Sequence, residues 1–240
     1  MEDPEVPEVP VVPWHLSIHV PETGEYASIA GLMFEHTRLM IRIVAFMSQL
    51  DILNFSPDLE NRIDQSMLND AKIQINAWKA VFYRIALSNP EIIRENILPA
   101  INDLGQALED HINLCSNLSV AVRSRNTSIT DKITKEIYES NSILIANPLA
   151  ELIGSEDSGV KKLWINHVYS VVDYITSITE GFDAFNTKAT QCIVNASITG
   201  YNLELLTRGG EDTGVDIIRR STAYSKAPSE HAKEDFNAVF

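Results

Sequence analysis

Cysteine is scarce in this chain of 240 residues, which has only Cys115 and Cys192, both set within helix-like apolar patterns. Two such residues cannot build a disulfide framework, and buried free thiols in a reducing compartment are the expectation. Long apolar runs are also missing: no stretch approaches the roughly 18 residues of a spanning helix. The N-terminus lacks the basic region and apolar run of a secretory leader. A cytoplasmic protein that neither enters nor crosses a membrane is therefore expected, and the sequons at Asn54, Asn117, Asn126 and Asn195 read as chance matches in an Asn-rich chain. Catalytic signatures are absent too. There is no His-Glu-x-x-His, no Cys-x-x-Cys, no phosphate-binding glycine loop ending in Lys-Ser or Lys-Thr, and no Gly-x-Ser-x-Gly elbow. Hydrolase and nucleotide-dependent chemistries lose their usual support, and the expectation is a protein that is not an enzyme and holds no cofactor or metal.

Positive charge is missing where the chain opens. Residues 1–30 contain Glu2, Asp3, Glu5, Glu8, Glu22 and Glu25 but no Lys or Arg, and Pro4, Pro7, Pro10 and Pro13 punctuate their first half. Proline fixes φ and removes a donor, so this segment is expected to be an extended arm. The net charge of -14 opposes generic adhesion to nucleic acid or anionic membrane, unless the cations are segregated. Segregation is partial. Residues 71–130 carry six cations against five anions, residues 131–207 five against ten, and the tail from Arg208 five against six, including Arg219 and Arg220.

What the chain has in quantity is helical periodicity, and 45% apolar residues are enough for a buried core. Tyr26, Ile29, Met33, Met40, Ile43, Val44, Met47 and Leu50 recur at steps of three and four. Ser56 and Pro57 read as an N-cap and first helical residue opening a second helix. Its stripe runs through Leu59, Ile63, Met67, Ile73, Trp78, Val81, Phe82 and Ile85, with a change of face near Asp70. Asn89 and Pro90 repeat the cap signal and open a short segment to Leu98, where Pro99 is expected to break or kink the helix. Ile101, Leu104, Leu108, Ile112, Cys115, Leu118 and Val122 make a third long helix that stops in the polar cluster 124–128. Thr127 or Ser128 would cap the next one, with Asp131 in its first turn, Ile133, Ile137 and Leu144 inward, and Asn147-Pro148 ending or kinking it. After the loop 154–159, a stripe runs from Leu163 through His167 and Ile175 to Phe182 and Phe185. A last helix carries Ala189, Cys192, Ile193, Ala196, Leu203 and Leu206, and stops at Gly209-Gly210. The expected fold is all-α, a bundle of about six or seven helices. An acidic arm at 1–23 precedes the core domain at 24–208, and a polar tail at 209–240 follows it.

Candidate chemistry is sparse. His15 and His19 share a face if residues 14–20 are extended, but without further ligands two imidazoles make a poor metal site. His36, His111 and His167 fall on three separate helices with no Glu three residues before any of them, so the helical di-iron motif is missing and core or surface histidines are expected. Arg38 and Arg42, with Arg84 on the second helix, could clamp a dicarboxylate or phosphate as a helical isomerase or lyase needs; Glu35, three residues before Arg38, points instead to surface ion pairs. Arg123 and Arg125 sit at a helix end among hydroxyls and an amide, a cluster that suits phosphate oxygens but is equally explained by the helix dipole. Lys79, Arg84, Arg219 and Arg220 would extend a nucleic-acid path, with Trp78, Phe82 or Tyr83 as stacking faces or as ordinary core.

Trp14, Leu16, Ile18 and Val20 alternate with polar residues behind the proline run and need a surface to cover; Trp14, Ile18 and Val20 are the expected assembly contacts. Ile217, Tyr224, Phe236 and Phe240 repeat the theme in the tail. A helical body with an arm at each end suits head-to-tail polymerisation. With Phe182-Asp183-Ala184-Phe185 late in the core and the polar tail after Gly209-Gly210, the chain resembles the coat proteins of filamentous RNA viruses, whose flexuous members carry a Phe-Asp-Phe element. Ala184 displaces the second aromatic, and Lys188 stands where an Arg usually follows. The resemblance implies an α-helical core, arms that lock neighbouring subunits, single-stranded RNA in an inner groove, and residence in the virion. On that reading Arg84, Arg123, Arg125, Arg219 and Arg220 contact phosphates without reading sequence. The alternative is an intracellular helical adaptor whose proline-rich arm docks on another protein.

Overall fold

The computed structural model describes residues 29–53, 57–89, 92–154 and 158–207. The expected acidic arm with Trp14, Ile18 and Val20, the expected cap Ser56, Pro90, and the tail with Arg219 and Arg220 lie outside the described residues. Within them the fold is all-α and contains no strand: α1 (Ile29–Leu53), α2 (Pro57–Ser88), α3 (Arg94–Arg123), α4 (Thr127–Glu136), α5 (Ser142–Ile153), α6 (Ser158–Thr176) and α7 (Phe182–Thr207). A π-helical turn at Ile137–Asn141 joins α4 to α5, so the seven helices form six rods. The central rod is α3, which touches α1, α2, α4, α5 and α6, while α7 lies against α1 and α6.

Apolar spacing builds these elements much as expected. Ile29, Met33, Met40, Ile43 and Val44 of α1 are buried, as are Ile101, Leu104, Leu108, Ile112, Cys115, Leu118 and Val122 of α3. Pro57 opens α2, where its missing N–H is one of the four that a helix start leaves unbonded anyway. The buried side of α2 runs through Met67, Ala71, Gln74, Trp78, Phe82 and Ala86. Ile73, assigned above to that stripe, stands about 100° away from Gln74 and is exposed. Asp70 instead accepts a hydrogen bond from Arg42 of α1 at 3.2 Å.

Both internal prolines are carried through rather than ending a helix. Pro99 is the sixth residue of α3, and the donor it lacks would have served the carbonyl of Glu95, an exposed residue that water can reach. Pro148 lies inside α5, where the unserved carbonyl is that of Leu144, also exposed. Asn89 does not cap α3: its Nδ2 donates to the carbonyl of Ile153 at 3.3 Å and ties the end of α2 to the end of α5. Residue 126 rather than 127 or 128 caps α4, with Asn126 Oδ1 accepting from the Ile129 N–H at 3.2 Å. Asp131 therefore falls beyond the first turn. The stripe from Leu163 to Phe185 is not one helix either. It ends at Thr176, passes a 3₁₀ turn at Ser177–Thr179, and reverses at Gly181, whose φ of 104° favours glycine. Phe182, 76% exposed, opens α7, while Phe185 packs its ring 4.6 Å from that of Tyr174.

The crossing of α1 and α7 is close enough for backbone contact. A Cβ on Gly200 would lie 2.7 Å from the Ala30 Cα and 2.8 Å from the Met33 Cβ, whereas one on Gly105 would meet only the flexible Lys79 stem, at 2.9 Å. Gly200→Ala should therefore lower unfolding free energy by about 1–3 kcal/mol through overpacking. Gly105→Ala should stay within about 1 kcal/mol of the parent, since Lys79 can swing aside and alanine favours the helix. Urea titrations of the two variants check this; equal losses would contradict the close crossing.

Candidate functional site

Three histidines that the sequence scatters over separate helices meet in the core. His36 on α1 lies with its ring centroid 5.9 Å from those of Trp78 and His111, 6.2 Å from Trp164 and 6.1 Å from His167. Trp78 and Trp164 meet edge to face at 6.0 Å. Four helices, α1, α2, α3 and α6, thus contribute rings to one buried polar centre, and all five rings are almost fully buried.

His111 is held by a directional chain. Asn141 Nδ2 donates to the Ala107 carbonyl at 3.0 Å, which leaves its Oδ1 to accept from His111 Nδ1 at 2.9 Å. His111 Nε2 then carries the lone pair, facing the Cys115 thiol at 3.7 Å. Asn141 is the last residue of the π turn. There the Ser142 N–H bonds the carbonyl five residues back, at Ile137, so the turn holds one extra residue. The extra residue carries Asn141 inward and shifts the following apolar stripe to Ile145, Leu149 and Leu152, leaving Leu144 exposed where simple periodicity had placed it inward.

Burial dominates the electrostatics. It lowers the pKa of His36 well below the ordinary value, with His111 and His167 adding repulsion and the Gln74 amide opposing. His111 is lowered to about 4, again by burial, with Asn141 opposing. His167 falls to about 3, through burial and then the charge of His111, with Asn195 opposing. The imidazoles are neutral at pH 7. The same burial pushes the Cys115 thiol up and Cys192 to about 12, so both free thiols stay protonated and unreactive.

His36 Nε2, both ring nitrogens of His167, both amide atoms of Gln74 and the indole N–H groups of Trp78 and Trp164 have no hydrogen-bond partner among the described residues. The Gln74 and Asn195 amides sit near enough to bias the imidazoles but outside bonding geometry. No group of three or more His, Cys, Asp or Glu among the described residues is arranged to hold a metal ion, and both nitrogens of His111 are already engaged.

The cations named from sequence do not converge on this centre. Arg123 donates from Nη1 to the Met47 carbonyl and fastens the end of α3 to α1. Arg84 is exposed on α2. Arg125, also exposed, is the left-handed residue of a helix stop, with φ of 55°. Its N–H bonds the Val122 carbonyl at 2.9 Å while that of Asn126 bonds Ala121 at 3.0 Å, the pairing in which glycine usually takes this place. Arg38 pairs with Glu35 at 3.1 Å and lies over the Phe34 ring, and Arg42 pairs with Asp70, so the suggested anion clamp is occupied by the protein's own carboxylates.

Two exposed faces were not foreseen. On α7, residues 189–203 contain no charged side chain, although Ile193, Val194 and Ile198 are only half-buried and Tyr201 is 60% exposed. On α2, Ile73, Tyr83 and Leu87 line the outer side. No helix among the described residues is long and apolar enough to cross a membrane. Comparison with protein-family models, curated proteins and solved structures found no match.

The three buried imidazoles fix a pH dependence. Their folded pKa values lie below the unfolded value of about 6.5, so the unfolded chain binds protons that the folded one refuses. Their neutral burial therefore costs no stability above about pH 7 and an increasing amount as pH falls from 6.5 toward 4. The combined slope approaches about 4 kcal/mol per pH unit if all three act. Urea unfolding at pH 7.5, 6 and 5 should show this fall, and His167→Gln should flatten it; a parent slope near zero would contradict neutral burial.

Proposed function

We propose that the protein is a structural subunit that assembles with copies of itself. One observation supports this above others: the charge-free stretch 189–203 of α7. Solvated helix faces are usually rich in charge, whereas interface cores are depleted of it and enriched in aromatics. A run of fifteen uncharged residues with Tyr201 outward fits an interface better than a solvated face. The narrower form of this reading is a coat or nucleocapsid-type subunit holding single-stranded RNA without sequence preference, in the cytoplasm and the virion. Arg84 and Arg125 support that form by their exposure, and Arg125 also by occupying a left-handed position where glycine would be less strained. Arg123 supports it less, since its guanidinium serves Met47.

Size-exclusion chromatography with light scattering should show species well above the monomer mass, and Tyr201→Glu should shift them to monomer with unchanged helical circular dichroism. A parent that stays monomeric across salt and pH would refute the assembly reading. Arg125→Gly should raise unfolding free energy by about 1 kcal/mol by relieving the left-handed residue while weakening retention of single-stranded RNA on a filter. Unchanged retention would remove Arg125 from the RNA-binding set.

A further inference from the structure

Two exposed helix faces carry opposite charge at the same spacing. On α2, residues 71–88 include Lys72, Lys79 and Arg84 but no Asp or Glu. Lys72 and Arg84 are exposed there, with Asn76, Ala80 and Tyr83 exposed between them. On the rod that α4 and α5 form, residues 136–154 include Glu136, Glu139 and Glu151 but no Lys or Arg. Glu139 and Glu151 are exposed on either side of Ile143, Leu144 and Asn147, which are exposed too. Each face is thus a mostly uncharged stretch held between two charges of one sign.

Lys72 precedes Arg84 by twelve residues and Glu139 precedes Glu151 by twelve, roughly 18 Å along either helix at 1.5 Å per residue. Set antiparallel, with Lys72 at Glu151 and Arg84 at Glu139, the faces bring Asn76 level with Asn147 and Ala80 level with Ile143. An amide then meets an amide, and a small side chain meets a branched one. The parallel setting would press Asn76 on Ile143 and leave the amide without a partner. Glu139 already lies 3.7 Å from Lys135 on its own rod, but both are largely exposed and the contact holds it weakly. Arg84 has five donors, so it can serve a further carboxylate beside any group it already holds.

Two α2 faces repel each other, as do two rod faces, so neither suits a two-fold contact with its like. A nucleic acid suits α2 less well than the rod does. Phosphates call for a dense row of cations, whereas this face sets two well-separated exposed ones among the exposed side chains of Ile73, Tyr83 and Leu87.

We propose that the outer side of α2 in one copy docks antiparallel on the α4–α5 rod of a second copy. Apolar burial holds the contact, and the charge pairs set its partner and direction more than its strength. Each chain offers both faces, so the contact is head to tail and repeats into a ring or filament. It rests on the reading that copies of the chain associate, and adds to the α7 face a contact with a direction.

The test mixes two full-length variants, Ala80→Cys and Ile143→Cys, in a glutathione redox buffer; Cys115 and Cys192 are buried and stay out of the exchange. The mixed disulfide should exceed either homodimer several-fold. Equal yields, or an excess of homodimer, would overturn the docking. Replacing Ile143→Cys by Asn147→Cys should lower the mixed product, and a rise would overturn the antiparallel setting. Lys72→Glu with Arg84→Glu in the Ala80→Cys chain should cut the mixed product several-fold, and Glu139→Lys with Glu151→Lys in its partner should restore it. A yield indifferent to these reversals would overturn the charge pairing. A mixed product that is absent, while the Lys72→Glu, Arg84→Glu chain loses retention of single-stranded RNA, would assign α2 to nucleic acid instead. Light scattering on the parent separates the two readings. A monomeric parent whose cysteine variants still give the mixed disulfide sinks stable assembly but keeps this contact, and an assembled parent without that preference does the reverse.

Discussion

The hydrogen bond between Asn141 and His111 constrains the body more widely than its single 2.9 Å contact suggests. A buried amide and a buried imidazole each lose water on folding, and a net gain requires that both be satisfied. Asn141 meets the condition by spending its donor on Ala107 and its acceptor on His111. It does so from the last position of the π turn in the rod formed by α4 and α5, and that turn decides which residues of α5 face the core. One turn thus carries both the polar pair and the register of an entire helix. His111 in turn stands against His36 and Trp164, so the level at which α1, α3 and α6 meet is set by the same arrangement.

A core organised this way accepts polar groups in exchange for definition. Leucine stripes can slide past one another at little cost, whereas five rings from four helices fit together in few ways. Whether polar cores confer specificity in general is disputed; here the directional chain from Cys115 through His111 to Asn141 and Ala107 gives the idea a concrete form. The close approach at Gly200 adds a second fixed point, between α1 and α7.

Long stripes were legible in the sequence because every third or fourth residue repeats the same message. The buried residues of α1, α3 and α6 agree with periodicity nearly position by position. Leu144 failed because one extra residue in a turn rotates everything after it, and no local composition marks a π turn. Pro99 and Pro148 do not end their helices, because a lost donor matters little when the orphaned carbonyl belongs to an exposed residue. The histidine centre was half-visible: His36, His111 and His167 each sit three or four residues from core residues of their own stripe, such as Met40, Leu108 and Val171. Sequence could place each one inward, but their meeting depends on the heights at which three rods pack. The Met47 contact of Arg123 could not have been read from sequence, since the partner is a backbone carbonyl on another helix. Chemistry of that kind has no side-chain signature.

Charge limits how such a chain can meet itself. At a net charge of -14, two copies repel over any large surface of average composition. Association is therefore confined to places where the average fails. The body offers two. Residues 189–203 of α7 are neutral, so approach there would meet little charge repulsion. The second half of α2 is cationic and apolar, so it attracts what the rest of the molecule repels.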